Sequence, residues 1–200
     1  MNCVQIELGD RSYEMQIGPS ILKKMLGDVQ GPAMFVVDDN VMPLLGNVLS
    51  FGGEQTLMTM FASETNKTMG SVEKIWDAML NAGHDRETTL VAIGGGIVGD
   101  VGGFAAATYM RGVELIQVPT TLLAMVDASI GGKTGINTKE GKNLIGNFYQ
   151  PKIVISDTDF LKSLPKREII CGYGEILKHS LILNKIFYKY LNKNALKILN

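Results

Sequence analysis

Thr89-Leu90-Val91-Ala92-Ile93-Gly94-Gly95-Gly96-Ile97-Val98-Gly99-Asp100 decides the reading of this chain. Residues 89–93 form a run of strand length, β-branched at Thr89, Val91 and Ile93 and apolar from Leu90 onward, and glycines follow at once. Gly94, Gly96 and Gly99 fit the spacing G-x-G-x-x-G between a strand and a helix. Glycines there let backbone N–H groups approach a pyrophosphate, and the positive end of the following helix favours its charge. The same residues also suit a tight structural turn, and the motif alone leaves both readings open.

Outward from this segment, strand and helix patterns alternate. Residues 4–8 and 13–17 flank Gly9-Asp10-Arg11-Ser12 as a hairpin, and a short helix follows Gly18-Pro19-Ser20. Strands are expected at 33–37, 56–61, 115–118 and 153–155, and helices at 41–49 and 69–81. Val72, Ile75, Trp76 and Met79 form one face of the second helix. Pro119 suits a helix start. This βαβ rhythm predicts an α/β fold: a Rossmann-like, mostly parallel sheet with flanking helices. From Pro165 the pattern turns helical almost without interruption. The predicted organisation is an α/β domain over 1–164 and the beginning of an all-α second domain over 165–200, cut short within its pattern. Lys185, Lys189, Lys193 and Lys197 recur every four residues, as on a solvated helix face, with Ile186, Phe187, Tyr190, Leu191, Leu196 and Ile198 between them.

Composition narrows the class. Of 200 residues, 46% are apolar and 20% charged, and the formal net charge is −1. Nothing global favours nucleic acid or an anionic membrane. The apolar stretch 90–110 holds six glycines, which fits a buried strand–turn–helix far better than a membrane span. The N-terminus has no signal-peptide pattern. Cys3 and Cys171 lack framework or metal-ligand spacing and read as structural thiols of a reducing compartment.

Several polar residues stand out. Asp38 and Asn40 close the strand at 33–37, where a ribose would sit; they equally suit a turn or a helix cap. Glu114 has the usual sequence distance from the glycine loop but opens a strand, at the wrong end. Gly132-Lys133-Thr134 resembles a Walker A ending, but Asp127 stands where that motif needs glycine, which excludes a nucleotide triphosphatase. Thr120 and Thr121 offer hydroxyls to a ligand or to the backbone. Lys133, Lys142 and Asn143 lie among glycines 131, 132, 135 and 141, as an oxyanion site or as a solvated mobile loop. Glu175 and His179, at i and i+4, suit two metal ligands or a polar helix surface bearing an ion pair. His84 lies in a loop and is given no catalytic role.

Taken together, the segments resemble one family. Gly94–Asp100, Phe104-Ala105-Ala106-Ala107-Thr108-Tyr109-Met110-Arg111-Gly112, Gln117-Val118-Pro119-Thr120-Thr121-Leu122-Leu123-Ala124, Gly131-Gly132-Lys133-Thr134-Gly135, Gly141-Lys142-Asn143, Phe148-Tyr149-Gln150-Pro151, Leu164-Pro165-Lys166-Arg167-Glu168 and Gly174-Glu175-Ile176-Leu177-Lys178 occur in this order. They are similar to the 3-dehydroquinate synthases, densely from about residue 85 to 183 and more loosely before. The resemblance implies conversion of 3-deoxy-D-arabino-heptulosonate 7-phosphate to 3-dehydroquinate and phosphate, a step of the shikimate route, with NAD used catalytically. It implies NAD contacts at Asp38, Asn40, Glu64, Lys67, Gly95, Gly96, Ile97, Val98, Gly99, Asp100, Thr120, Thr121, Lys133, Lys142, Phe160, Leu161, Lys162 and Ser163. Lys133, Lys142, Asn143 and Arg111 match substrate and phosphate contacts, and Asp127 and Lys178 match polar positions of the catalytic pocket. Glu175 matches a carboxylate ligand of a divalent metal, zinc or cobalt. The other two ligands would be histidines beyond residue 200, and position 179 is not a ligand in the family. A cytoplasmic homodimer is the expectation. The alternatives are a related sugar phosphate cyclase, a metal-dependent polyol dehydrogenase of similar fold, or an NAD-binding fragment that is silent alone.

Overall fold

The computed structural model describes residues 1–48 and 53–199. The hairpin is β1 (Asn2–Ile6) and β2 (Tyr13–Gly18), paired antiparallel from Asn2↔Ile17 to Ile6↔Tyr13. There follow α1 (Leu22–Gly27), β3 (Ala33–Asp38), α2 (Met42–Leu45), β4 (Gln55–Met60), α3 (Met69–Asn81), β5 (Thr89–Gly94), α4 (Gly96–Thr108) and β6 (Glu114–Pro119). After a π-helical turn at Ala124–Ala128 come β7 (Lys133–Ile136), β8 (Ile145–Phe148), β9 (Ile153–Asp157), α5 (Lys166–Leu183) and α6 (Lys185–Leu199). Seven strands form one sheet in the order β1-β2-β9-β6-β5-β3-β4, parallel except for the β1–β2 pair. The predicted α/β fold is therefore the observed one.

The centre of the sheet is buried on both faces. Every residue of β3 and β5 is buried, which is why these strands, apart from Asp38 and Thr89 at their ends, are apolar rather than alternating. One face packs Val72, Ile75 and Met79 of α3 and Val101, Ala105 and Ala106 of α4 against Met34, Val36, Leu90 and Ala92. The other packs Leu22 and Leu26 of α1 against Phe35, Val91, Ile116 and Ile155. Thr68 caps α3, its hydroxyl accepting from Ser71 N at 3.4 Å.

Some expectations are corrected. The helix expected over 41–49 is one turn of α-helix followed by a 3-10 turn at Gly46–Val48, and its last expected residue, Leu49, lies outside the described residues. Gly46 at φ +46° ends the regular turn. Pro119 ends β6 rather than opening a helix; its ring replaces no ladder donor at that strand terminus. The glycine-rich stretch around Lys133 is not a free loop: β7 and β8 pair antiparallel, from Lys133↔Phe148 to Ile136↔Ile145. The two cysteine thiols are free and exposed rather than packed. Helix α5 ends at Leu183, and Asn184, in extended conformation, starts α6 by accepting from Phe187 N. The four α6 lysines are exposed as expected, whereas Ile186 and Leu196 on the intervening face stay 82% and 80% exposed and only Leu191 is buried. No helix among the described residues is long and apolar enough to cross a membrane.

His84 is a structural clamp. Its ring is buried, with Nε2 2.6 Å from Thr56 Oγ1 and Nδ1 3.2 Å from Thr88 Oγ1, while Tyr109 donates to its carbonyl. Burial pushes its pKa down, against the raising pull of Asp85 and Glu54. A base depressed by folding contributes stability that is present above the unfolded value, about 6.5. That stability is lost as pH falls below it, because the unfolded chain binds the extra proton. Urea midpoints are therefore expected to fall as pH drops through about 6.5, and His84→Gln is expected to flatten that part of the profile. An equally steep acid limb in the variant would refute the assignment.

Candidate functional site

Parallel strands send their following loops to one edge of the sheet. From β3 the chain goes outward to β4, then returns to β5 on the other side of β3, so the strand order reverses between β3 and β5. In open α/β sheets ligands bind in the crevice that opens at such a reversal, outside the strands' carboxyl ends. A cleft of about 750 Å³ occupies that place. Each neighbouring strand contributes from its carboxyl end: Asp38 and Asn40 after β3, Glu64 and Lys67 after β4, Gly95, Gly96, Ile97 and Asp100 after β5, Thr120 and Thr121 after β6, and Phe160 and Ser163 after β9. Residues separated by more than a hundred positions thus converge because the strands run parallel.

The glycine loop is shaped by contacts below it. A Cβ on Gly94 would lie 2.5 Å from Val98 Cγ2, and one on Gly99 2.8 Å from Gln117 Oε1. Val98 is fully buried and Gly99 abuts Gln117, whose amide donates to the Gly99 carbonyl. Neither lines the cleft. Gly95 occupies the N-cap of α4 and brings no side-chain acceptor, so the first N–H groups of the helix face the cleft mouth. Asp38 is buried, and its Oδ1 accepts from the backbone N–H and side-chain amide of Asn40 at 3.0 and 3.1 Å. The pair forms a turn; it does not cap α2. Thr121 Oγ1 accepts from Ala124 N, starting the next helix, while Thr120 N donates to the Gly94 carbonyl. Leu161 and Lys162 do not line the cleft, and Lys162 pairs with Asp159 at 2.7 Å. Glu114 lies at the opposite edge, held by Thr89 and Lys152.

Asp100 is also a wall of a second cleft, of about 540 Å³, with Asp127, Lys133, Asn143, Asn147 and Phe148. Between the clefts, the nearly buried Lys67 ammonium donates to both Asp100 and the side-chain oxygen of Asn143. Burial pushes the Asp100 carboxyl pKa up more than Lys67 pulls it down. Lys142 sits at the rim, 2.9 Å from Glu64, and its hydrogen bond holds the Glu64 carboxyl below its usual range. Asn137 joins them by donating to Glu64 Oε2 and accepting from Asn143 N. Sequence reasoning missed Asn137, Asn147 and Phe148, which become site residues only through the β7–β8 pairing.

Arg111 lines neither cleft. It is exposed at a corner where Met110 and Arg111 both have positive φ (+48° and +69°), closed by Gly112. Lys178 bonds Glu175 on α5, and His179 Nε2 lies 3.3 Å from Glu175 Oε1. One ligand atom each of Asp127, Glu175 and His179 lie within 4.8 Å of one another.

Comparison with known proteins agrees with this geometry. The family described as 3-dehydroquinate synthase N-terminal matches residues 57–171. The 3-dehydroquinate synthase of Pelagibacter ubique is 48% identical over 98% of this chain and 56% of its own. Among solved structures, 2-epi-5-epi-valiolone synthase from Streptomyces hygroscopicus, with NAD+ and Zn2+ bound, superposes with a TM-score of 0.88 at 32% identity, over 97% of this chain and 56% of that one. A 2-deoxy-scyllo-inosose synthase with carbaglucose-6-phosphate, NAD+ and Co2+ gives 0.80 at 29% identity, over 90% of this chain and 51% of that one. The chain spans about half the length of the curated relatives it matches. On its sequence and on this geometry, the chain belongs to the 3-dehydroquinate synthase family.

Proposed function

We propose that this chain supplies the NAD cleft and the phosphate-binding ribbon of a 3-dehydroquinate synthase. That enzyme converts 3-deoxy-D-arabino-heptulosonate 7-phosphate to 3-dehydroquinate and phosphate without net use of NAD. The observation that carries the proposal is the shared wall: Asp100 lines both clefts, and Lys67 ties it to Asn143. A hydride acceptor in one cleft and a phosphorylated sugar acid in the other would meet there.

The residues fit both groups. For NAD there is a glycine cradle against a helix start for the pyrophosphate and a buried Asp38 for a ribose hydroxyl. For a divalent metal there is the Glu175 carboxylate, with the Asp127 carboxylate close by, oxygen donors of the kind zinc or cobalt accepts. Bound NAD supplies reversible hydride transfer, and the metal supplies Lewis-acid polarisation of the substrate oxygens. The chain's own work is binding and orientation. Lys133 and Asn143 hold the phosphate end, Lys142 serves the rim, and Asp127 and Lys178 face the reacting end. Residues 1–164 form the cofactor domain in this proposal, and 165–200 begin the helical one. Cytoplasmic placement, homodimer formation and a need for ligands beyond Glu175 belong to the same proposal and rest on family likeness. By itself the 200-residue chain is expected to bind NAD weakly and not to turn over.

The test supplies the phosphorylated heptulosonate, a divalent metal and trace NAD to the protein that carries this chain. Phosphate release in excess of NAD, with no accumulation of NADH, is expected. Net NADH formation from a polyol, without phosphate release, would replace the proposal with a dehydrogenase.

A further inference from the structure

We infer that Asn137 is the positioning residue that aims Asn143 at the substrate phosphate and ties that aim to Glu64 on the cofactor side; the inference rests on the two-cleft reading above. Asn137 lines neither cleft, so it acts through its neighbours rather than on a ligand. It is the first residue after β7, fixed from behind by Ile136, which is 1% exposed. Its backbone N–H donates to the Lys67 carbonyl at 2.8 Å. Its amide nitrogen donates to the Glu64 carbonyl and to Glu64 Oε2, at 3.2 and 3.1 Å. Its side-chain oxygen accepts from the Asn143 N–H at 3.0 Å. One residue thus bolts the segment after β4 to the far end of the loop 138–143.

Asn143 needs such a bolt. Its φ is +55°, a left-handed conformation that residues other than glycine keep where their surroundings impose it. Within the loop, the Thr138 N–H and hydroxyl both donate to the Gly141 carbonyl, which closes the inner turn and stops short of Asn143. Asn137 supplies the acceptor for the Asn143 N–H, a local side-chain bond of the kind that holds irregular backbone. On the other side, the nearly buried Lys67 ammonium takes the Asn143 side-chain oxygen. The –NH2 group is then what Asn143 can offer a phosphate oxygen. With its backbone and its side chain both fixed, that donor is placed before the substrate arrives, and binding bears no cost of ordering it. Lys142, the preceding residue, pairs with the same Glu64 Oε2 that Asn137 holds. Glu64, Lys142 and Asn143 therefore keep one arrangement because Asn137 stands among them.

The test uses the protein that carries this chain. Phosphate release from the phosphorylated heptulosonate gives kcat and KM, and inorganic phosphate, as a competitive inhibitor, probes the phosphate contacts alone. Asn137 is only part-buried, so its truncation is expected to leave the protein folded, and thermal melts check this. Asn137→Ala is expected to raise KM and the phosphate inhibition constant by about tenfold and to leave kcat within about threefold, because binding is lost equally from the ground and transition states. A residue that served folding alone would lower the melting temperature and the active fraction, hence kcat, and spare both constants. Asn137→Asp keeps an acceptor for the Asn143 N–H, with Lys142 at hand to offset the added charge. It is expected to bring the inhibition constant back to within about threefold of the parent. In an Asn143→Ala background, Asn137→Ala is expected to add less than about twofold, since the donor it aims is gone. If Asn137→Ala leaves both constants at parent values, if Asn137→Asp is as weak as Asn137→Ala, or if the effects of Asn137→Ala and Asn143→Ala multiply, the inference falls and the two-cleft reading stands. If the parent releases no phosphate, or inorganic phosphate does not inhibit it, that reading falls and takes the inference with it.

Discussion

Asp100→Ala is expected to cost about 3 kcal/mol of stability and to abolish NAD binding in the proposed cofactor cleft. Its partner Lys67 is 4% exposed, and among the described residues the ammonium donates to Asp100 and to the neutral oxygen of Asn143. Removing one member of a buried ion pair leaves an uncompensated charge, at about 3–5 kcal/mol. The low end applies because the Asp100 side chain keeps 24% of its exposure. The pair is nevertheless no source of stability. Burial raises the Asp100 carboxyl pKa despite Lys67, with Glu64 pushing the same way. A carboxyl raised by folding contributes stability that is full below the unfolded value, about 3.9, and is lost as pH rises through the folded pKa. At neutral pH the ionised group is therefore a net cost. Replacing both residues, as Lys67→Met with Asp100→Leu, is expected to restore the urea midpoint to at least that of the parent while leaving NAD unbound. A double-mutant cycle with NAD titrations measures both effects. A single Asp100→Ala loss within about 0.5 kcal/mol would show that Lys67 is not stranded.

The division between what sequence revealed and what it hid follows the range of the forces involved. Helix α3 spans the predicted residues because its apolar period and its Thr68 cap are local. Strands β3 and β5 announced themselves as apolar runs because burial on both faces removes alternation. The cleft proposed for the cofactor was legible through the glycine loop, since a parallel sheet brings every following loop to the same edge. The β7–β8 ribbon was not. Lys133-Thr134-Gly135-Ile136 and Ile145-Gly146-Asn147-Phe148 have weak strand propensity, and they pair because Ile136 is buried in the core shared with α4. Nor could spacing show that Lys142 spends its charge on Glu64, a choice made across the fold. The approach of Asp127 to Glu175 and His179 depends on a π turn, for which residue periodicity gives no signal.

That hidden ribbon carries the second large expected effect. Gly135 and Gly146 face each other in register. A Cβ on Gly146 would run into the Thr134 carbonyl oxygen and lie 2.9 Å from Gly135 Cα, while one on Gly135 would lie 2.7 Å from the Ile145 carbonyl. These are backbone atoms, so no rotamer relieves the overlap, and Gly146→Ala must open the ribbon. The strands cannot simply shift together. Thr134 donates to the Asn147 carbonyl, its methyl group sits where Gly103 leaves no room for a Cβ, and Tyr149 N and Gln150 Nε2 pin the Gly132 and Gly131 carbonyls. Lys133 begins the first strand, and Asn143 stands just before the second. Both would therefore move relative to Asp100. Overpacking of this kind costs about 1–3 kcal/mol. A displacement of about 1 Å at a positioning group costs on the order of a hundredfold in rate. Gly146→Ala is thus expected to lower phosphate release by about that factor in the protein that carries this chain, with NAD affinity unchanged because the proposed cofactor cleft is built from the main sheet. Gly141→Ala is the control: its Cβ would meet only the flexible Leu144 side chain, at 3.2 Å, and its effect is expected to be small. Equal rates for the two variants would mean that the ribbon does not place Lys133, and that the lysine reaches the phosphate by its own flexibility.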